Sequence, residues 1–239
     1  MSDFQSLTTL IKRLEAATSR LEDLATSGAS VVTVGTNINR SSLGTQPVVP
    51  SSLVLPPNND ATAETEPPLA LSAYDELIEG PLKTFVELSK SIGGLVEDQS
   101  HAVENIFIAQ RDFIYIATKS VKPDTTSETF AELIKPTLQA LEKVCEYREN
   151  NRPSPFFNHL STVGEGIGAL GWVTLESKTA PYVGDLKESS QFYANRVIKE
   201  FKDKDRTHVD WANSFVVLLT ELQNYVKNYH TNGLVWNPQ

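Results

Sequence analysis

Apolar residues recur every three or four positions in two parts of the chain, and the stretch between these parts lacks that period. In residues 1–25 the spacing is seven, which is typical of the a and d positions of a coiled coil. Such a short helix buries nothing alone, so the pattern predicts pairing with copies of itself or with another helix. The alternative is a helix docked on the rest of the chain. The two series are Leu7, Leu14 and Leu21, and Leu10, Ala17 and Leu24.

Residues 26–68 contain few large apolar side chains and are rich in Ser, Thr, Asn, Gly and Pro. Six of the 13 prolines fall here, and each fixes φ and removes a backbone donor. A segment of this composition can neither continue a helix nor fill a core. It predicts a disordered, flexible linker between residues 1–25 and a folded domain of residues 69–239.

From residue 69 onward the apolar period is helical, and no stretch alternates as a strand would. Capping boxes, prolines and glycines divide this region into about six helices. The fold class is therefore predicted as all-α: an antiparallel six-helix bundle, preceded by a short N-terminal coiled-coil helix and the disordered linker. One unbroken helix is expected from Pro155 to about Ser177. The other predicted helix starts are Ser72 with Asp75, Leu95, Thr125 with Glu128, Pro181, and Thr207 with Asp210.

Composition excludes several classes of protein. A net charge of -9 argues against a protein that coats nucleic acid. No apolar run reaches the ~18 residues of a membrane span, and the N-terminus lacks the features of a signal peptide. The single cysteine, Cys145, rules out an internal disulfide and fits a reducing compartment. We therefore expect a soluble, cytoplasmic protein.

Candidate chemistry is sparse. Gly166, Gly168 and Gly171 match the glycine pattern of dinucleotide sites, but those glycines must follow a strand, and a helix is predicted here. Close helix packing is the favoured interpretation, and a nucleotide-binding enzyme is the alternative. The histidines lie far apart along the sequence, and Cys145 has no base at an identifiable spacing. The sequence thus predicts no enzyme, no cofactor and no metal site.

One surface feature remains on the helix predicted after Pro181. Its apolar residues fall on one side and a basic stripe on the other, with a second basic pair beside the turn at Pro123 and Asp124. On an acidic chain these are either solvated helix faces or a docking surface for an acidic protein. The apolar side is Leu186, Tyr193, Val197 and Phe201. The polar stripe is Asn195, Arg196, Lys199 and Lys202, followed by Lys204 and Arg206, and the second pair is Lys119 and Lys122.

Three strings of residues carry a resemblance. They are KRLEAATSRLED at 12–23, VKPDTTSETF at 121–130, and SSQFYANRVIKEF at 189–201 followed by YHTNGLVW at 229–236. Together they resemble the N-terminal half of the adenylyl cyclase-associated protein family, which regulates actin. The resemblance covers nearly everything except the linker.

The resemblance implies that the N-terminal helix forms a homo-oligomer and contacts adenylyl cyclase in Ras/cAMP signalling. It also implies that the helical domain binds actin together with cofilin in the cortical cytoskeleton, promoting filament severing and pointed-end disassembly. A pure cyclase-binding scaffold is the alternative. The family's regions for recharging actin monomers do not occur in these residues, so we expect no such activity from them. The matching positions are Arg13, Leu14, Glu15, Arg20, Leu21 and Glu22 for the helix, and Lys122, Asp124, Asn195, Arg196 and Lys199 for the actin and cofilin contact.

Overall fold

A computed structural model describes residues 68–238 and shows them as a bundle of helices. A π-helical turn, Ile78–Leu82, joins the helix Leu69–Leu77 to the helix Lys83–Ile92 in one continuous rod, so the bundle has six rods. No strand occurs among residues 68–238, and the all-α prediction is confirmed. The predicted coiled-coil helix and all of the linker before Pro68 lie outside the described residues. The helices are α1 (Leu69–Leu77), α2 (Lys83–Ile92), α3 (Gly94–Lys119), α4 (Glu128–Asn150), α5 (Phe157–Gly166), α6 (Thr179–Phe201) and α7 (Arg206–Tyr229).

The core forms around α7, whose inner face is almost wholly buried. Trp211 and Phe215 of this helix pack against Phe85 of α2, with ring centroids 5.8 and 5.0 Å apart. The indole N–H of Trp211 donates to Ser89 Oγ at 2.8 Å. Because a buried polar group without a partner is costly, this bond allows a tryptophan to fill the middle of the bundle. α7 in turn packs most extensively on α6.

Three of the predicted capping residues do not cap their helices. α1 begins at Leu69, so Ser72 lies inside it rather than capping it. The N-cap of α4 is Ser127, whose hydroxyl accepts the Phe130 N–H, and not Thr125. The N-cap of α7 is Asp205 instead of Thr207. Runs of Ser, Thr and Asp fit a capping box in more than one register, and the preceding turn decides which register is used.

The long helix expected from Pro155 to Ser177 is also wrong. α5 ends at Gly166, and a 3-10 segment, Ile167–Thr174, takes over. A Cβ at Gly166 would lie 2.7 Å from Leu219 Cδ1, and one at Gly168 would lie 2.8 Å from Leu186 Cδ1. These glycines let the segment approach α6 and α7 closely, which confirms their interpretation as packing residues.

Candidate protein-docking site

The basic stripe predicted from the sequence lies on α6, and the fold holds this helix firmly in place. At its start Thr179 is buried, and its hydroxyl donates to the His230 carbonyl at 2.7 Å. Midway, Ser190 is buried and its hydroxyl donates to the Thr162 carbonyl of α5 at 2.7 Å. Ala194 and Val197 complete a buried inner face of small residues. The side chains of the opposite face are therefore presented at fixed positions.

Asn195, Arg196 and Lys199 are exposed, on the side of α6 that the sequence predicts. The Asn195 carboxamide oxygen accepts from Gln191 Nε2 at 2.9 Å, so this side chain is held by its own helix. Neither Arg196 nor Lys199 forms an ion pair with a carboxylate of residues 68–238. Two positive charges of an acidic chain are thus available to a partner.

Arg196 stacks on aromatic rings instead of pairing with an acid. Its guanidinium carbon lies 4.6 Å from the ring centroid of Phe192 and 5.6 Å from that of Tyr193. The two rings meet edge to face at 5.2 Å. Stacking over a ring face leaves the N–H groups at the edge of the guanidinium open to a carboxylate. The aromatic rings therefore hold Arg196 in position, while its positive charge has no carboxylate partner in the described part of the chain.

The stacking continues inward through Arg148 of α4. Its guanidinium carbon lies 5.6 Å from the Tyr193 ring centroid and 5.9 Å from that of Phe157, and Glu165 forms an ion pair with it. We call this series the cation–aromatic ladder, and it links α4, α5 and α6. The spacing of Phe192 and Arg196 signals their contact in the sequence, whereas the part played by Arg148 needs the tertiary structure. The ladder runs Phe192, Arg196, Tyr193, Arg148 and Phe157.

The basic residues beyond Lys199 have local partners. Lys202 lies 3.8 Å from the Asp203 carboxylate, and Lys204 stacks over the Phe201 ring at 5.6 Å. Arg206 pairs with Asp210 at 3.3 Å, one turn along α7. The part of the predicted stripe whose charges have no local partner therefore ends at Lys199.

In the turn between α3 and α4, both predicted site residues, Lys122 and Asp124, already have partners within the domain. Lys122 Nζ lies 2.9 Å from Glu176 Oε1, and this bond lowers the pKa of the Glu176 carboxyl. Asp124 Oδ1 accepts from the Thr126 N–H at 2.8 Å and from its hydroxyl at 2.7 Å, which lowers the pKa of Asp124. Both side chains remain exposed.

The structure does not bring the five predicted contact residues to one spot. Glu176, the partner of Lys122, lies just before α6 begins at Thr179. Arg196 follows Thr179 by 17 residues, which is about 25 Å along the helix axis. Lys122 and Asp124 therefore lie near one end of α6, while Asn195, Arg196 and Lys199 lie towards the other. The residues from Arg13 to Glu22 lie outside the described part of the chain.

His159 and His208 are buried, and Cys145 is half-buried. His159 and His208, far apart in sequence, form a hydrogen-bonded pair that the sequence analysis missed, with 2.8 Å between ring nitrogens. Burial lowers the pKa of His159 to about 3 and raises that of the Cys145 thiol to about 11. Within residues 68–238 no three metal-ligating side chains cluster, and no helix has the length and apolarity to cross a bilayer.

Comparison with known families gives two matches along the chain. The family described as "CAP, N-terminal domain" matches residues 74–234, and that described as "CAP N-terminal conserved motif" matches residues 8–67. The chain is 40% identical to the adenylyl cyclase-associated protein of Schizosaccharomyces pombe over 97% of its own length and 47% of that protein. It is 35% identical to human adenylyl cyclase-associated protein 1, over 99% of its own length and 44% of that protein. The chain thus spans less than half the length of these relatives.

Two solved structures share the fold. The N-terminal domain of the adenylyl cyclase-associated protein of Dictyostelium discoideum superimposes with a TM-score of 0.67 at 39% identity, over 70% of this chain and 94% of that one. The other is a crystal structure of a CAP N-terminal domain, described as indicating variable oligomerisation. It gives a TM-score of 0.69 at 38% identity, over 73% of this chain and 94% of that one.

Proposed function

Because the chain belongs to the adenylyl cyclase-associated protein family, we propose that its helical domain binds cofilin-decorated actin and promotes severing and pointed-end disassembly. The action is non-enzymatic: binding stabilises the released state of a strained, cofilin-bound filament end. The proposed setting is the cytoplasm, at the cortical actin cytoskeleton.

The observation that carries this proposal is the pair of cations on α6. On a chain of net charge -9, Arg196 and Lys199 are exposed and have no carboxylate partner within residues 68–238. Actin has an acidic surface, so these charges favour both encounter and orientation. Asn195 lies beside them, while Lys122 and Asp124 supply a second contact area near the other end of α6. Two separated areas suit a partner made of several subunits.

We propose a separate role for the predicted N-terminal helix. We assign self-association and contact with adenylyl cyclase to residues 1–25, through Arg13, Leu14, Glu15, Arg20, Leu21 and Glu22. The relatives are named for their association with that enzyme, and one related domain is described as variable in oligomerisation. A linker of the predicted kind would span roughly 35 Å and let several helical domains act on one filament end.

The alternative function is a signalling scaffold that binds adenylyl cyclase and has no effect of its own on actin. The names of the relatives favour it. It requires the exposed cations of α6 to be ordinary solvated side chains. It also requires that the chain leave the disassembly of cofilin-decorated filaments unchanged.

Single-filament imaging with cofilin tests the proposal. The chain should increase severing and pointed-end loss, and the double variant R196A/K199A should lose most of that increase. The matched control is K83A/K90A, which removes two exposed lysines from α2. Full activity of R196A/K199A would contradict the assigned site, while inactivity of the unaltered chain would favour the scaffold.

A further inference from the structure

Phe192 is the one exposed phenylalanine in the described part of the chain. Its relative exposure is 56%, whereas the phenylalanines of the core are at 2% or below. It lies in the middle of α6, where the inner face is already filled by Ser190, Ala194 and Val197. Packing of the domain itself therefore gives no reason for a large aromatic ring on this face.

The ring of Phe192 is held in place before any partner arrives. The Arg196 guanidinium lies over it at 4.6 Å, and Tyr193 meets it edge to face at 5.2 Å. Tyr193 is in turn stacked by Arg148 from α4. An apolar group that is already ordered loses little conformational entropy on binding, which is a common property of interface anchors.

The charges around Phe192 indicate what kind of surface it meets. At about 100° per residue, Arg196 and Lys199 fall on the same face within about 60° of each other. An apolar ring beside two cations fits an apolar pocket with carboxylates on one border. A lipid surface would need a broader basic patch than this, because Glu188 and Glu200 are also exposed on this helix.

We propose that Phe192 is the apolar anchor of the α6 docking surface and inserts into a pocket of an acidic protein whose carboxylates pair with Arg196 and Lys199. This inference rests on the proposed function and names cofilin-decorated actin as the partner that offers the pocket. The ring sets the lifetime of the complex, while the two cations set the rate of encounter and its dependence on salt.

Co-sedimentation of the chain with cofilin-decorated filaments at two salt concentrations tests the anchor. F192A should weaken binding at least about 10-fold without changing the salt dependence, and R196A/K199A should reduce the salt dependence. The matched control is L138A, which truncates a residue of 52% exposure on α4 and should change binding less than about 2-fold. Circular dichroism checks that each variant is folded.

A double-mutant cycle separates an anchor from a mere support for Arg196. If the ring contacts the partner, F192A weakens binding by a similar factor in the R196A background. If it only positions the guanidinium, F192A has no effect in that background, and the proposal is overturned. F192Y should restore most of the affinity.

The remaining outcomes are decisive as well. Filament binding by the chain with no loss in F192A overturns the anchor alone, whereas no binding by the chain overturns both the anchor and the proposed function. Phe192-dependent binding to phosphatidylserine vesicles with filament binding intact would assign the ring to a membrane. Phe192-dependent self-association in sedimentation, again with filament binding intact, would assign it to a second copy. Either result contradicts the proposal.

Discussion

His159 of α5 and His208 of α7 face each other inside the bundle, with Nε2 of the first 2.8 Å from Nδ1 of the second. The Asp205 carboxylate lies 3.8 Å from the outer nitrogen of His208 and favours a proton there. His159 Nε2 then donates to His208 Nδ1, and Nδ1 of His159 is left as a buried acceptor without a partner in residues 68–238. The pair is most stable when both rings are neutral, because a further proton would place a positive charge on rings that are poorly solvated.

Acidification should destabilise the domain through its buried histidines. Burial lowers the pKa of His159 to about 3 and that of His230 to about 4, while an unfolded histidine titrates near about 6.5. Above that value neither state binds a proton. Below it the unfolded state takes up protons that the folded state excludes, so the free energy of unfolding falls with pH. Between pH 7.5 and 5.5 each ring should remove about 1 to 2 kcal/mol, as measured by urea unfolding.

Two variants show whether the histidines cause this effect. H159L should flatten the pH dependence relative to the unaltered chain, whatever its absolute stability. H101Q is the control: it removes an exposed imidazole and leaves both buried histidines in place, so most of the pH dependence should remain. Burial lowers the pKa of His208 too, but the carboxylates of Asp205 and Glu200 oppose that effect, so the share of His208 should be smaller. Equal slopes for H159L and the unaltered chain would contradict this explanation.

Gly166→Ala should destabilise the bundle by about 2 to 3 kcal/mol. The new Cβ would lie 2.7 Å from Leu219 Cδ1 and 2.8 Å from Phe215 Cε1, both on the rigid core helix α7. Gly164→Ala in the same helix is the control: its Cβ would lie 3.2 Å from Arg148 Cδ, on a side chain that can move. Thermal unfolding should separate the two variants, and similar melting temperatures would mean that the glycines are not needed for close packing.

Ser127→Ala should cost about 1 kcal/mol by removing the acceptor for the Phe130 N–H at the start of α4. Thr125→Ala should change the free energy of unfolding by much less, since no side-chain cap is made there. Urea unfolding of the two variants measures the difference. A larger loss for Thr125→Ala would restore the capping position expected from the sequence.

Cys145 should resist thiol reagents in the folded protein. Burial raises the pKa of its thiol to about 11, so the reactive thiolate is scarce at neutral pH. Labelling with a disulfide reagent at pH 7.5 should be slow in buffer and rapid in denaturing urea, where it should reach one thiol per chain. Rapid labelling of the folded chain would show that this part of α4 opens readily.

The sequence could predict what depends on local periodicity. The extent of α3 and the exposure of Arg196 and Lys199 follow from spacing, and they agree with the structure. The sequence also predicts correctly that Gly166 and Gly168 are packing residues, but the change to a 3-10 helix depends on how near α6 and α7 come.

Contacts between distant parts of the chain could not be predicted in this way. His159 and His208 are 49 residues apart, and Arg148 reaches Tyr193 only because α4 and α6 meet through α5. The separation of Lys122 from Arg196 likewise needed the Lys122–Glu176 contact to place the turn beside the start of α6. The spacing of residue types along one helix does not indicate which end of that helix lies beside a loop from another part of the chain.

This separation has a mechanical consequence. If both areas bind, α6 acts as a ruler with one contact near each end, and its hydrogen-bonded backbone keeps the distance between them fixed. If the partner is a filament, a shift or twist of its subunits would change the spacing that the two areas have to match. Removing one turn of α6 would shorten the ruler by about 5.4 Å. Recognition would then depend on the spacing of subunits as well as on their surface chemistry.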